Sequence, residues 1–328
     1  MNTINKTRGK KYISKKPQIK KTTSIAIIKT SLSPLGCKYC GNYDFKCGQS
    51  VPIYEVYNVH ALNQLIGYAK FINHSYGDVY YRGECKLHDS LIPSLFRGRA
   101  NTSIASQLNS LINNVYTDSN MKKQLKLDGS DPVSSALKIE GVLQHYGIKT
   151  RFIDVVDNHW VALWMGLNRN KKYKQICEYN HYEQREIPLI DFVNGKECTE
   201  EDLFQYILLL AVPGQCKRIN NGIFASDDYY EIDLRQALPS TYLRPHAQHG
   251  LVIKKRPHDG DQVEKYDMAT NVVGIIKIRI DRVKQWIGTG ELLTQDNLFP
   301  APSFDNGYDI LLSRTDLFKD DFAIARYI

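Results

Sequence analysis

Three short segments bring together side chains that could do chemistry. The first is Tyr80-Tyr81-Arg82-Gly83-Glu84. Its Arg82 offers a planar fork suited to a phosphate or carboxylate. The glycine beside it lets the backbone turn or a ligand come close. The second is Gln144-His145-Tyr146-Gly147, followed by Thr150-Arg151-Phe152-Ile153-Asp154. An amide, an imidazole, a hydroxyl, a guanidinium and a carboxylate fall within eleven residues here. On an extended strand Thr150, Phe152 and Asp154 share one face, and Arg151 and Ile153 the other. The third is Arg244, Gln248 and Gly250. Each arginine also has a plainer use, as half of an ion pair at the edge of the core.

A fourth cluster is Cys37-x2-Cys40-x6-Cys47. The Cys-x2-Cys spacing suits tetrahedral zinc, with His60 or Cys85 as candidates for the fourth ligand. Other chemistries are not indicated. No Gly-x-Ser-x-Gly nucleophile elbow, P-loop or Gly-x-Gly-x-x-Gly is present.

The elements that must position these residues change character along the chain. Residues 1–24 are polar and basic and read as a disordered arm, and residues 25–57 as a turn-rich, cysteine-containing knob. The spacing of Leu62, Leu65, Ile66, Ala69 and Ile72 predicts a helix capped by Asn58. Similar spacing predicts helices over 103–116 and 133–146, the latter entered through Asp131-Pro132. A strand is expected over 149–156, then a helix after Asn158. Residues 169–186 are charged, tyrosine-rich and aperiodic, and read as an inserted loop. Strands follow at 187–193, 206–212, 229–234, 250–254 and 272–280, then a short helix over 281–287 and a closing helix over about 305–318. Helices early and strands late predict an α+β fold, with N-terminal helices packed on a mixed, mainly antiparallel sheet.

Of the 328 residues, 42% are hydrophobic, enough for a sizeable core. The longest apolar runs fall far short of the roughly 20 residues that cross a bilayer. The first residues lack an apolar h-region, so no secretory signal and no membrane partner are expected. Seven cysteines, an odd number, fit a reduced, cytoplasmic setting better than a disulfide framework. The net charge is +8, and the eight lysines and arginines of residues 1–21 account for all of it. Such an arm suits contact with nucleic-acid phosphates, and equally a solubility tail.

Taken in order, Tyr81-Arg82-Gly83, Leu91 to Arg97, Gln144 to Asp154 and Ala162-Leu163 resemble the FRG domain, named for its Phe/Tyr-Arg-Gly motif. Arg244, Ala247 to Gly250 and Leu298-Phe299-Pro300 are similar to its later signatures; the resemblance spans about Val79 to Pro300, with insertions, and 58–328 is read as this domain. Tyr81 stands where many members have Phe, and Phe152 where Leu is usual. A more distant likeness is to the ADP-ribosyltransferase fold. It implies nicotinamide adenine dinucleotide (NAD) as substrate, with Arg82, Thr150, Asp154 and Gln248 as catalytic residues. Tyr81, Arg82, Gln144, His145, Arg151 and Arg244 would then bind the dinucleotide. Gln248 stands where that fold carries a late Glu, and a neutral amide cannot stabilise a developing cation as a carboxylate does. The resemblance implies a toxin or antiphage effector; the basic arm and the Cys-x2-Cys knob beside the domain make nucleic acid a reasonable acceptor, and an inhibitory partner protein is one candidate partner that the sequence leaves open. The missing Glu points also to a non-catalytic module that recognises a nucleotide or phosphate. A hydrolase or nuclease using Asp154 and His145 ranks third.

Overall fold

The computed structural model describes residues 24–32, 34–97, 102–174, 178–187, 199–214, 216–256, 262–288 and 293–327. The arm (apart from Ser24) and the strand expected over 187–193 (apart from Ile187) lie outside them. Twelve strands are described: β1 (Cys37–Asp44), β2 (Ser50–Val56), β3 (Gly77–Glu84), β4 (Ile153–Val156), β5 (Asn168–Lys174), β6 (Glu178–Gln184), β7 (Phe204–Pro213), β8 (Lys217–Asn220), β9 (Ile223–Ala225), β10 (Tyr229–Asp233), β11 (Gly250–Lys255) and β12 (Val272–Arg279). Eleven helices accompany them: α1 (Val59–Asn73), α2 (Thr102–Thr117), α3 (Ser119–Gln124), α4 (Pro132–His145), α5 (His159–Leu167), α6 (Glu200–Leu203), α7 (Leu234–Ala237), α8 (Arg244–Ala247), α9 (Ile280–Ile287), α10 (Gln295–Leu298) and α11 (Asn306–Ser313). Among the described residues no helix is long and apolar enough to cross a membrane.

The fold is α+β, built on a ten-stranded mixed sheet in the order β1-β2-β12-β7-β3-β4-β11-β10-β9-β8. Only β2 and β12 pair in parallel; the other neighbours are antiparallel. The central strands β7 and β12 are buried on both faces, which is why they read as unbroken apolar runs. One face of the sheet carries two separate helical layers. Helices α1, α5 and α9 cover β2, β12, β7 and β3 through Leu62, Leu65, Val161, Leu163, Ile207 and Ile276. Helices α2 and α4 cover β10 and β11 through Leu108, Ile139, Leu143, Ile232 and Val252. The opposite face is covered more thinly, by loops around Leu91 and Met268.

Between the two layers the sheet comes apart. β3 pairs with β7 along its whole length, but with β4 only at Tyr81↔Val156. Past that point β3 and β4 diverge. Gly83 explains part of this: a Cβ there would lie 1.9 Å from the Ala162 carbonyl oxygen. The α5 backbone thus rests directly on β3, so it is a helix that approaches closely at this glycine.

Helix α4 ends where the site begins. Asp131 caps its start by accepting from the Ser134 amide at 2.9 Å. At its other end Gly147 takes φ +94°, a left-handed conformation that glycine adopts without a Cβ penalty. The Ile148 amide then donates to the Leu143 carbonyl at 2.9 Å, closing the helix. The chain turns at once toward β4, which puts Gln144 and His145 beside Asp154.

Three expectations are corrected. The strand predicted over 149–156 begins only at Ile153. The preceding backbone groups are spent elsewhere: Arg151 N–H on Glu140 and Phe152 N–H on the Thr150 hydroxyl, while the Thr150 carbonyl accepts from Leu95 N–H. The inserted loop is instead the hairpin β5–β6, a sheet of its own. Its strands carry salt bridges from Lys171 to Glu183 and from Lys172 to Glu178, and a stacked Tyr173–Tyr179 pair, so it has no apolar face for periodicity to detect. The closing helix is shorter than 305–318: it spans Asn306–Ser313, and the backbone of Arg314 leaves the helical conformation at φ −92° and ψ 54°.

The cysteine knob is the hairpin β1–β2, at the edge of the main sheet. Cys37 and Cys40 lie on β1 and Cys47 in the turn beyond it, all as free thiols. Burial raises the Cys37 thiol pKa, with Cys40 adding to the effect. Among the described residues, no group of three or more His, Cys, Asp or Glu side chains is placed to hold a metal ion.

Candidate ligand-binding cleft

A cleft of about 780 Å³ opens where β3 and β4 part. That lies within the range of about 300–1,000 Å³ usual for small-molecule sites. Its floor is the polar edge of the gap. Arg82 lies where the ladder stops, and its Nη1 donates to the Asp154 carbonyl oxygen at 2.8 Å. The guanidinium thus takes the place of a strand amide. Its Nε donates to Glu84 Oε1 at 2.6 Å. Burial opposes the Arg82 charge, but the Glu84 and Asp154 carboxylates more than offset it, and the Arg82 pKa rises. Arg97 lies near enough that its pKa is lowered, chiefly by burial and then by the Arg82 charge.

Behind the floor runs a chain of hydrogen bonds. Thr150 Oγ1 donates to Gln144 Oε1 at 2.7 Å, and Gln144 Nε2 donates to Asp154 Oδ2 at 2.5 Å. Asp154 Oδ1 lies 3.8 Å from His145 Nδ1. Among the described residues, both Asp154 Oδ1 and His145 Nε2 are buried without a hydrogen-bond partner. The ring is tightly seated: a Cβ on Gly250 would lie 2.6 Å from His145 Cε1. Gln248 also lines the cleft, and its Nε2 donates to the Leu298 carbonyl at 2.7 Å. Its Oε1 has no such engagement among the described residues.

An aromatic wall closes one side. Tyr182 of β6, Phe299 and Tyr327 line the cleft, with Phe299 stacked 4.6 Å from Tyr182 and 4.7 Å from Tyr327. Lys86, Lys149 and Arg169 stand exposed around the mouth.

The structure therefore gathers Tyr81, Arg82, Gln144, His145, Asp154 and Gln248 around one cleft. Thr150 sits behind it, wholly buried, and reaches it only through Gln144. Arg151 turns away from it. Its Nε and Nη2 hold Glu140 at 2.9 and 2.8 Å, and Lys254 holds the same carboxylate at 2.8 Å. Buried alone, Glu140 would be hard to ionise; Lys254 and Arg151 reverse this and bring its pKa down to about 2.

Arg244 is also absent from the lining. Fully buried, its guanidinium is caged by Tyr146, Tyr308, Tyr327 and Phe299, with ring centroids 4.4, 4.5, 4.7 and 5.3 Å away. Its Nη1 donates to the His145 carbonyl at 3.4 Å, and π faces take the place of further partners. Arg244 is thus a keystone behind the aromatic wall, with no face on a ligand.

Sequence reasoning missed Glu84 as the Arg82 partner, and the roles of Tyr182 and Tyr327. Tyr182 lay in the supposed loop and Tyr327 beyond every motif. Phe299 was within reach, because it lies in the Leu298-Phe299-Pro300 motif.

Comparison with known proteins fits this geometry. The family model of the FRG domain matches residues 77–175, from the start of β3 through the first strand of the β5–β6 hairpin. That span holds Tyr81 to Glu84 and Gln144 to Asp154, most of the cleft floor. Gln248 and the Phe299–Tyr327 wall fall outside it. No curated protein and no solved structure matches the chain. The segments that open the cleft and carry most of its floor, residues 77–175, match the FRG domain family.

Proposed function

We propose that the cleft binds NAD and that the protein transfers its ADP-ribosyl group to an acceptor. The observation that carries this reading is the parting of β3 and β4, which presents Arg82, Asp154, Gln144 and Gln248 around one cavity. It suits a ligand with phosphates, sugar hydroxyls and flat rings. Lys86, Lys149 and Arg169 at the mouth meet phosphates, the amides and carboxylates meet hydroxyls, and the aromatic wall meets a base. Glu84 and Asp154 are the carboxylates near enough to Arg82 to shape its charge. They are the groups we assign to stabilising a cation that develops on the ribose. The acceptor in this proposal is nucleic acid, drawn by the eight bases of residues 1–21.

One observation favours a second reading, a recognition module without turnover. Gln248 supplies an amide where a carboxylate would serve catalysis, and half of that amide is tied to Leu298. Incubating the full chain with NAD and total RNA, DNA and protein separates the two. Nicotinamide release together with an ADP-ribose adduct by mass spectrometry supports transfer. Tight NAD binding without release supports the module, and absence of both refutes each. Arg82→Gln should weaken NAD binding by roughly 10- to 100-fold, since charge-assisted bonds contribute about 1.5–3 kcal/mol each.

A further inference from the structure

The hydrogen bonds behind the cleft have a direction, and it can be followed atom by atom. The Thr150 hydroxyl oxygen accepts from the Phe152 amide at 3.1 Å. Its single proton is therefore free to donate to Gln144 Oε1, at 2.7 Å. This fixes which way the Gln144 amide faces: oxygen toward Thr150, nitrogen toward Asp154. Gln144 Nε2 accordingly donates to Asp154 Oδ2 at 2.5 Å. The other carboxylate oxygen, Oδ1, is left buried without a hydrogen-bond partner among the described residues, and the nearest ring nitrogen, His145 Nδ1, lies 3.8 Å away, just beyond hydrogen-bond reach. A carboxylate beside one ring nitrogen places the imidazole proton on that nitrogen. The second nitrogen, Nε2, is then a bare lone pair. His145 is 8% exposed, lines the cleft, and its Nε2 is buried with no partner among the described residues. Burying an unpaired acceptor is costly, and a ligand that donates to it recovers that cost.

From this relay we propose that His145 Nε2 is the proton acceptor of the site, with Asp154, Gln144 and Thr150 as its positioning residues. In the transfer reaction, a reading this step rests on, a hydroxyl or amine of the acceptor gives its proton to Nε2. The lone pair so freed forms the bond to the ribosyl C1′. The C1′–N bond breaks, its electron pair stays on the ring nitrogen, and nicotinamide leaves neutral. The imidazolium then returns its proton to solvent. The 3.8 Å contact between His145 and Asp154 shortens when the acceptor is seated, as catalytic hydrogen bonds do on ligand binding. Gly250 serves the same arrangement, because any larger residue would push the ring out of line.

The test has two arms on the full chain. In the first, nitrogen NMR of histidine-labelled protein reads the His145 tautomer without any ligand. The expected result is a proton on Nδ1 and none on Nε2, with Thr150→Val mixing the tautomers and Thr150→Ser preserving them. A proton on Nε2 in the unaltered chain overturns the proposal, whether or not any variant folds. The second arm follows nicotinamide release and adduct formation. His145→Gln should lower kcat by about 10²- to 10⁴-fold with KM within about threefold, the usual range for loss of a general base. Added imidazole should restore part of the rate in His145→Gly. Unchanged kcat in His145→Gln overturns the proposal as well. A chain with the expected tautomer that releases no nicotinamide counts against NAD as substrate and leaves the relay standing.

Discussion

Replacing Arg151 with methionine asks whether this arginine serves the ligand or the fold. In the structure it serves the fold. The side chain makes two charge-assisted bonds to Glu140, at 2.9 and 2.8 Å, while the Glu140 side chain is only 2% exposed. Two such bonds contribute about 3–6 kcal/mol before compensation, at roughly 1.5–3 kcal/mol each. Lys254 remains on the carboxylate in the variant, and so does the Arg151 backbone amide at 3.0 Å. The Arg151 side chain is 19% exposed, so water supplies part of what is lost. A net loss of about 2–4 kcal/mol is expected, below the roughly 3–5 kcal/mol of a pair left without any partner. At about 2 °C per kcal/mol for a chain of this size, Tm should fall by about 4–8 °C.

Acid gives an independent check. Glu140 has a native pKa of about 2 against an ordinary value of 4.5. A carboxylate with a lowered native pKa stabilises the fold fully above its unfolded value. That contribution disappears as pH falls from about 4.5 toward about 2 and, integrated, amounts to about 3 kcal/mol. The unaltered chain should lose stability across that window, and Arg151→Met should lose less, because its Glu140 pKa lies closer to the ordinary value. Urea unfolding at several pH values, read beside NAD titration, measures both. The reasoning is refuted if Arg151→Met keeps its Tm and its acid profile but loses NAD affinity, which would return Arg151 to the ligand.

Two glycines give further predictions. Gly83→Ala places a Cβ 1.9 Å from a backbone oxygen of α5 that has no freedom to retreat, so Tm should fall sharply or soluble expression be lost; thermal melting that stays within about 2 °C of the unaltered chain would contradict the packing of α5 on β3. Gly250→Ala meets only the His145 ring, at 2.6 Å, so the chain should fold with a loss of stability of at most about 1–3 kcal/mol while the His145 resonances shift and site activity falls at least tenfold; an unmoved ring would contradict the seating described here.

What could be read from the sequence was what depends on near neighbours. Asn58 and Asp131 cap their helices through amides three residues on, a pattern written in adjacent letters. The apolar runs of β7 and β12 announce strands buried on both faces. The destinations of the arginines could not be read. Arg82, Arg151 and Arg244 are the same letter beside similar motifs, yet one borders a cleft, one grips Glu140, and one is caged by four rings. Nothing local separates these outcomes, because the deciding partners lie elsewhere in the chain: Tyr146 and Tyr327 for Arg244, Asp154 for Arg82. The hairpin β5–β6 escaped for another reason. Its pairing rests on opposite charges and stacked tyrosines, and its apolar contact is confined to a few residues such as Tyr182.

The Tyr-Arg-Gly segment acquires its meaning from the interruption of the sheet. A strand normally satisfies its carbonyls with the amides of its neighbour, and β4 lacks that neighbour before Val156, over residues 153–155. The missing neighbour is β3, whose end stays paired with β7 and pressed under α5 at Gly83. The Asp154 carbonyl would then be orphaned, and the Arg82 guanidinium satisfies it instead. Glycine keeps the gap open and arginine makes it tolerable, which is why the two stand side by side. The tyrosine before them is the last residue at which the strands still meet, with its buried ring against the edge of His159 at 5.8 Å. On this account Arg82 cannot be exchanged for lysine without loss: an ammonium could reach either Glu84 or the Asp154 carbonyl, whereas the planar fork reaches both at once and holds the two strands at a fixed separation.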